Sequence, residues 1–523
     1  MITSLVHVWR LLKAGRTLAR YDALLQPEQI AELPVPARLA LRIAGFGGRP
    51  VSGDAQSRLT AALSKLGPSY IKLGQFLATR PDIVGPKRAF ELKALQDRLL
   101  PFSMVEAKAA VQVNLGKPVE ELFREFGEPV AAASVAQVHR AKTTENLDVA
   151  VKILRPGVGK RFAADVQSFY FAARLMERFS AEARRLRPVA AVATLEQSMK
   201  LELDLRMEAS AISEMARNVA DDPGVRLPNV DWQLTAKQVL TTEWIDGTPI
   251  SDLETLSARG VDLKALGDTV IQSFLRHAIR DGFFHADMHP GNLFVDASGK
   301  LVMVDFGIMG RLGPKERMFL AEILYGFIRR DYERVARVHF DAGYVPRDQD
   351  PHNFAQALRA VGEPIMDKQA SEISMARLLT QLFEVTGQFN MTTQPQLLLL
   401  QKTMVVVEGV ARTLNPNLNM WVTAEPVVKQ WIERRLGPIG KIEDVADGAL
   451  ALGRAAFQLP TMLEEAQRAT HMLAEMAQTG GIKLDRDTTR DLALAQLKAS
   501  RLQRYAVIAG AVALVVIAFN LAT

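Results

Sequence analysis

Residues 285–292 read HADMHPGN, and the chain continues as NLFVD (292–296), ASG and KLVMVDFG (300–307). Two short apolar runs joined by a small turn form a hairpin. Asp287, Asn292 and Asp305 are thereby brought toward one edge, and any fold for this chain has to build that convergence. Carboxylate and amide oxygens in such a set suit Mg²⁺ arriving with a nucleotide much better than Zn²⁺. His285 and His289 are four apart, as in a helical zinc pair, but Pro290-Gly291 follows at once and residue 286 is Ala, not Glu. The histidines are read instead as organisers of the backbone.

An Asp–x4–Asn loop followed by Asp-Phe-Gly is the pairing in which a kinase-type site orients its nucleophile and holds its metal. VAVK (149–152) lies upstream at a suitable distance, on a hairpin of VAQVHRA (135–141) and DVAVKIL (148–154) turned by TTEN, and supplies Lys152 for the α- and β-phosphates. That lysine needs a carboxylate, and LELDLRMEA (201–209) offers Glu202, Asp204 and Glu208, each of which could equally be an exposed helix charge. Two features of an ordinary kinase are absent. The phosphate-covering loop reads PVAAASVAQV without glycine, and no Ala-Pro-Glu follows Asp-Phe-Gly, where the chain is expected to run straight into helix. Each Ala Cβ crowds the amides that would approach phosphate, so nucleotide is expected to bind with altered preference.

Elsewhere residues 54–126 and 160–217 read as mostly helical, QVLTTEWI (238–245) as a strand, and everything after 314 as helical, with QLLLLQKTMVVVEGV (396–410) a buried helix. The absence of cysteine among 523 residues excludes disulfides, thiolate metal sites and cysteine nucleophiles. A net charge of +6 favours an anionic partner, yet the arginine clusters are scattered and lack interleaved aromatics, so no nucleic acid is expected.

Met1 to Arg20 holds four basic residues and no acid, with an apolar stripe: a membrane-surface helix, a helix packed on the domain behind it, or a transit peptide. YAVIAGAVALVVIAFNL (505–521) is an uncharged run of 17 residues preceded by Arg501 and Arg504, which predicts a single membrane anchor with the long soluble part in the cytoplasm. Ala506/Gly510 and Ala509/Ala513 have the small-residue spacing of paired helices, whence an expected homodimer.

From about residue 60 to 420 these signatures resemble, in order, those of the UbiB family of atypical kinase-like proteins: LGPSYIKLGQFLATRPD (66–82) with its KxGQ, AAAS (131–134), ELDLRMEA and HADMHPGN. The resemblance implies an α+β, atypical protein-kinase-like two-lobe fold with an N-terminal helical extension and a C-terminal membrane helix. The KxGQ helix would fold over the site where a kinase docks peptide, with Lys72 and Gln75 facing the pocket and Lys72 near Glu202 and Asp204. It assigns Lys152 to the α/β-phosphates of ATP, Glu208 to orienting Lys152, Asp287 to the nucleophile, and Asn292 with Asp305 to Mg²⁺. Ala131, Ala132, Ala133 and Ser134 would form the nucleotide loop, and the backbone of Thr242, Glu243 and Trp244 the adenine hinge.

The same resemblance implies an ATPase stimulated by membrane lipids and quinone-like compounds. It would serve ubiquinone biosynthesis by presenting prenylated quinone precursors to the pathway's enzymes at a bacterial inner membrane, with a protein or small-molecule kinase as the alternative. Domains are expected at 1–53 (N-terminal segment), 54–127 (extension), 128–245 and 246–420 (two lobes), 421–504 (helical) and 505–521 (anchor). Members commonly carry two C-terminal membrane helices; one is visible here.

Overall fold

The computed structural model describes residues 2–21 and 55–436, apart from 79, 81–83, 85, 93–94, 96–98, 180–186, 367–384, 386 and 392–394. Residues 1–433 form one compact unit and 434–523 another. Beyond residue 436 the second unit, including the expected anchor at 505–521, lies outside the described residues. Among those described, no helix is long and apolar enough to cross a membrane.

Helix α1 (Ile2–Arg20) precedes an extension of α2 (Ala55–Leu66), α3 (Pro68–Ala78) and α4 (Pro86–Leu92). Then come α5 (Met104–Leu115), the single turn α6 (Val119–Leu122), and strands β1 (Phe123–Ala132), β2 (Ala136–Thr143) and β3 (Asp148–Leu154). Helices α7 (Val158–Phe179), α8 (Pro188–Glu202) and α9 (Leu205–Asn218) lead to β4 (Val225–Arg226), β5 (Val230–Ala236), β6 (Val239–Glu243) and β7 (Gly247–Pro249). Next are α10 (Leu253–Ala258), α11 (Leu263–Leu275), a π turn at Arg276–Asp281, β8 (Phe283–His285), β9 (Leu293–Asp296), β10 (Leu301–Met303) and β11 (Met309–Arg311). Helices α12 (Pro314–Ile328), α13 (Tyr332–Asp341), α14 (Pro351–Met366), α15 (Pro395–Leu414) and α16 (Met420–Leu436) complete the described chain.

The strands form a five-stranded antiparallel sheet ordered β1-β2-β3-β6-β5, a small sheet β4-β10-β9-β7 and a pair β11-β8. Period-2 alternation decides what the large sheet offers the site: Val149, Val151 and Ile153 of β3 are buried against Ala107 and Val111 of α5, so Lys152 emerges on the opposite face. Helix α5 starts with a Ser103/Glu106 capping box and stops at Gly116, whose φ of 77° is left-handed.

Three sequence expectations need correction. The sheet begins at Phe123, not near 128, because β1 is bulged, with register shifts at Phe123/Glu125, Phe126/Pro129 and Pro129/Ala131 that hide its alternation. The helical run 160–217 is three helices, interrupted before Pro188 and again at Asp204, whose carboxylate caps α9 by accepting from the Arg206 N–H. Strand β11 stands between Asp-Phe-Gly and the helix expected to follow directly. The apolar segment at 396–410 is the buried helix expected: Leu400, Val407 and Val410 are buried in the same cluster as Val270 and Phe274 of α11.

Candidate functional site

Lys152 crosses from the large sheet to two other elements. Its Nζ donates to both oxygens of Glu208, at 2.8 and 2.9 Å, and to Asp305 Oδ1 at 2.7 Å. Glu208 reaches it because Leu205, Glu208, Ala209, Ile212 and Met215 form the buried stripe of α9, which places a carboxylate on an otherwise apolar face. Burial works against the lysine's charge, but the neighbouring carboxylates of Asp305 and Glu208 outweigh it and hold its pKa above the ordinary value. The ammonium in turn is the main cause holding the Asp305 carboxyl well below its usual range. Asp305 itself has φ of 62°, in the left-handed region where Asp is among the few tolerated side chains.

The catalytic-type loop and the Asp-Phe-Gly segment are zipped together. Met309 pairs with His285 across β11 and β8, Ala286 N–H donates to Ile308 O, and Val304 N–H donates to Asn292 O, each of the latter two at 3.0 Å. Buried His285 accepts from the Asp287 N–H through Nδ1 at 3.1 Å, so its Nε2 carries the proton and donates to Val304 O at 3.1 Å. Its ring meets Phe306 edge-on at 5.0 Å. His289 Nδ1 accepts from the Gly291 N–H, and the Asn292 side-chain amide donates to Asp287 O, each at 3.0 Å. Both histidines thus organise the loop, as their spacing beside Pro290-Gly291 suggested, and His285 has no nitrogen left for a metal.

Helix α3 brings Lys72 to Glu202 at 2.8 Å, both largely buried. The Lys72 charge also helps, as a minor cause, to keep Asp305 ionised. Gln75, one turn on, is partly buried. The glycine between them has a steric reason: a Cβ at Gly74 would come within 2.7 Å of Leu95 and 2.8 Å of Leu63. The three carboxylates of residues 201–209 are therefore taken differently: Glu202 by Lys72, Glu208 by Lys152, and Asp204 by the α9 cap and the Arg206 guanidinium at 2.7 Å.

Ala131 and Ala132 end β1, and the turn into β2 is made by Ala133, Ser134 and Val135, closed by the Ala133 N–H donating to Ala136 O at 2.8 Å. In β6, Thr242 pairs with Ala150 within the sheet; the Glu243 N–H donates to Asn229 O at 2.8 Å and the Trp244 N–H to Asp148 O at 3.0 Å. The Glu243 carboxylate is held by Arg226, which also binds Asp296 at 2.7 Å and so ties the two larger sheets together.

A model of the ABC1 atypical kinase-like domain matches residues 94–339, and one of the UbiB helical domain matches 358–419. A protein of Marinobacter nauticus named "Probable protein kinase UbiB" is 39% identical over 88% of this chain and 85% of its own length. One of the same name from Azotobacter vinelandii is 41% identical over 79% of this chain and 78% of its own. The chain belongs to the UbiB family. UbiB proteins are kinase-like and implicated in ubiquinone biosynthesis, and the curated relatives are bacterial. A solved Rv3197–erythromycin complex of Mycobacterium tuberculosis is similar to 75% of the chain at 24% identity and a TM-score of 0.49.

Within this UbiB site the donor set fits a hard cation. The Asn292 side chain donates through its nitrogen to Asp287 O, which leaves its amide oxygen to accept, and Lys152 occupies only one oxygen of Asp305. Buried Thr403 of α15 also supports the loop: its hydroxyl lies 3.1 Å from Ala286 O and 2.8 Å from Leu399 O, and its partners are main-chain carbonyls that no side-chain pattern reveals.

Proposed function

We propose that the chain is a membrane-associated, Mg²⁺-dependent ATPase of the atypical kinase class that supports ubiquinone biosynthesis by making prenylated quinone precursors accessible to the pathway's enzymes. The observation that carries this is Lys152, held between Glu208 and Asp305 within reach of the lid lysine's field. In this reading Lys152 holds the α/β-phosphates, oriented by Glu208, and Asp287 positions the attacking nucleophile. Asn292 and Asp305 would hold Mg²⁺, which neutralises charge on the β- and γ-phosphates. The Ala131–Ser134 turn covers the phosphates. Adenine lies against the backbone of Thr242–Trp244, where the N–H groups of Glu243 and Trp244 are already held by Asn229 O and Asp148 O.

Water as acceptor is favoured by two features: the lid beside the site, and a post-Asp-Phe-Gly segment that pairs with β8 and enters α12 at Pro314 without forming a peptide platform. Contact with a membrane surface is supported by α1. It docks on α7 through Arg10–Asp165 at 3.1 Å while leaving Trp9 63% and Leu12 67% exposed, Lys13 over the Trp9 ring, and no acid in the helix.

The deciding experiment is phosphate release by purified full-length chain with Mg²⁺-ATP, with and without anionic liposomes and a phenolic quinone-precursor mimic, beside Asp287→Asn. Lipid-stimulated release that the substitution alters strongly is expected. Equal rates for the two proteins would remove Asp287 from the site. Labelled γ-phosphate recovered on protein or a small molecule would favour the kinase reading that the relatives' name carries.

A further inference from the structure

One side chain outside the described machinery joins the N-terminal extension to the alanine loop. Arg155, immediately after β3, donates from Nε to Ala133 O at 2.9 Å and from Nη2 to Leu100 O at 2.8 Å. Its guanidinium lies over the Phe102 ring, 5.7 Å from the centroid, and its backbone N–H donates to Val135 O at 2.8 Å. Around this fork the segment 99–102 is stitched to the same hairpin. The Leu99 N–H donates to Ala132 O at 3.3 Å, the Phe102 N–H to the buried Gln137 Oε1 at 2.9 Å, and Gln137 Nε2 back to Phe102 O at 3.3 Å.

The bonds fall on the carbonyls of the loop. A trans peptide points its N–H away from its C=O, so holding the Ala133 carbonyl fixes the direction of the Ser134 amide, while the Ala133 amide is already closed onto Ala136 O. Amides of such a turn are the groups that approach phosphate oxygens. A loop of alanines has less freedom than one of glycines to find its own geometry, so what grips its outer edge sets what its inner edge presents.

We infer that Arg155 is a positioning residue, through which the segment following the lid helices sets the shape of the alanine loop and hence its affinity and its preference between Mg-ATP and Mg-ADP. The inference rests on the nucleotide reading above and assigns the extension a second route into the site, independent of the Lys72–Glu202 pair.

The test uses full-length wild type, Arg155→Gln, Arg155→Lys and, as control, Arg124→Gln at an exposed position of β1. Equilibrium binding of fluorescent ATP and ADP analogues with Mg²⁺, steady-state phosphate release, and melting without nucleotide are measured for each. Losing the charge-assisted bonds in Arg155→Gln should weaken Mg-ATP binding about tenfold and change the ATP/ADP ratio. Turnover at saturation should stay within about twofold, an affinity-against-kcat split that general loss of structure would not produce. Arg155→Lys, which keeps the charge but can hold only one carbonyl well, should fall between, and it decides the matter if the Gln variant does not fold. Arg124→Gln should match wild type. Arg155 variants that bind both nucleotides with wild-type affinity and ratio overturn the inference and leave the nucleotide reading standing. Wild type that binds neither nucleotide overturns that reading, and this inference with it.

Discussion

His285 is neutral for a reason that can be measured. Burial lowers its pKa from the ordinary 6.5, with only partial opposition from its bond to Val304 O and the charges of Asp305 and Asp287. In the unfolded chain the imidazole takes up a proton near 6.5; in the folded chain it does so only at lower pH. The unfolded state therefore binds more protons between the two values, and the stability His285 contributes is complete above about pH 6.5 and declines as pH falls from there toward the folded pKa. Thermal melts over that window should fall more steeply with decreasing pH for wild type than for His285→Asn; parallel slopes would show that His285 does not carry the effect. At this scale much was legible. Lys152, Asp287, Asn292 and Asp305 stand in spacings that kinase chemistry dictates, whereas choosing among Glu202, Asp204 and Glu208 required the family resemblance, because residue type alone does not say which helical carboxylate is buried. Arg155 and Thr403 could not be read, since both act on main-chain carbonyls contributed by distant parts of the chain.

The element proposed as a lid is α3, and its docking rests on close approach of helices. With Gly74 pressed against Leu63, Leu92 and Leu95, a large side chain forces α3 away from α2 and α4. Gly74→Leu should cost roughly 1–3 kcal/mol of stability by overpacking and loosen the Lys72–Glu202 pair. Chemical denaturation reads the first, and faster hydrogen exchange across 68–78 the second; an unchanged exchange pattern would mean that the lid does not depend on this contact. The position of α3 is fixed at its start as well, where Arg161 donates to Leu66 O at 2.7 Å beside Gly67, whose φ of 98° admits few other residues. Burial beside this cluster raises Tyr70 to about 12, with the charge of Asp165 adding to the effect. Elements with clean periodicity, such as β3 and α9, were readable. The bulged β1, the two-residue β4 and the three-residue β8 and β11 were not, because pairing partners rather than local pattern define them.

Across the whole molecule, α1 is the packed helix of the three sequence alternatives, and it keeps an apolar edge exposed. His7 reaches Ser168 and Arg10 reaches Asp165, while Trp9 and Leu12 remain uncovered among the described residues. Trp9→Ser combined with Leu12→Ser should leave the melting temperature within a few degrees of wild type, since exposed positions contribute little to folding, but should reduce flotation with anionic vesicles by roughly tenfold through lost apolar insertion. Undiminished flotation would assign lipid contact to another surface. The kinase-like α+β character was legible from the order of its motifs. The packing of α5 on the sheet was not, because that helix is apolar on its buried face at Ala107 and Val111 and on its exposed face at Val105 and Val113, leaving no amphipathic signal to orient it.

Between Asp305 and Pro314 the chain reads FGIMGRLG, with its Met309–Arg311 stretch paired to β8. That octet contains no serine, threonine or tyrosine. A modifying enzyme would find no hydroxyl there on which to install a phosphate, and no slack with which to turn one into a rearrangement. Phosphorylation of a hydroxyl within this octet is therefore not a switch open to this protein.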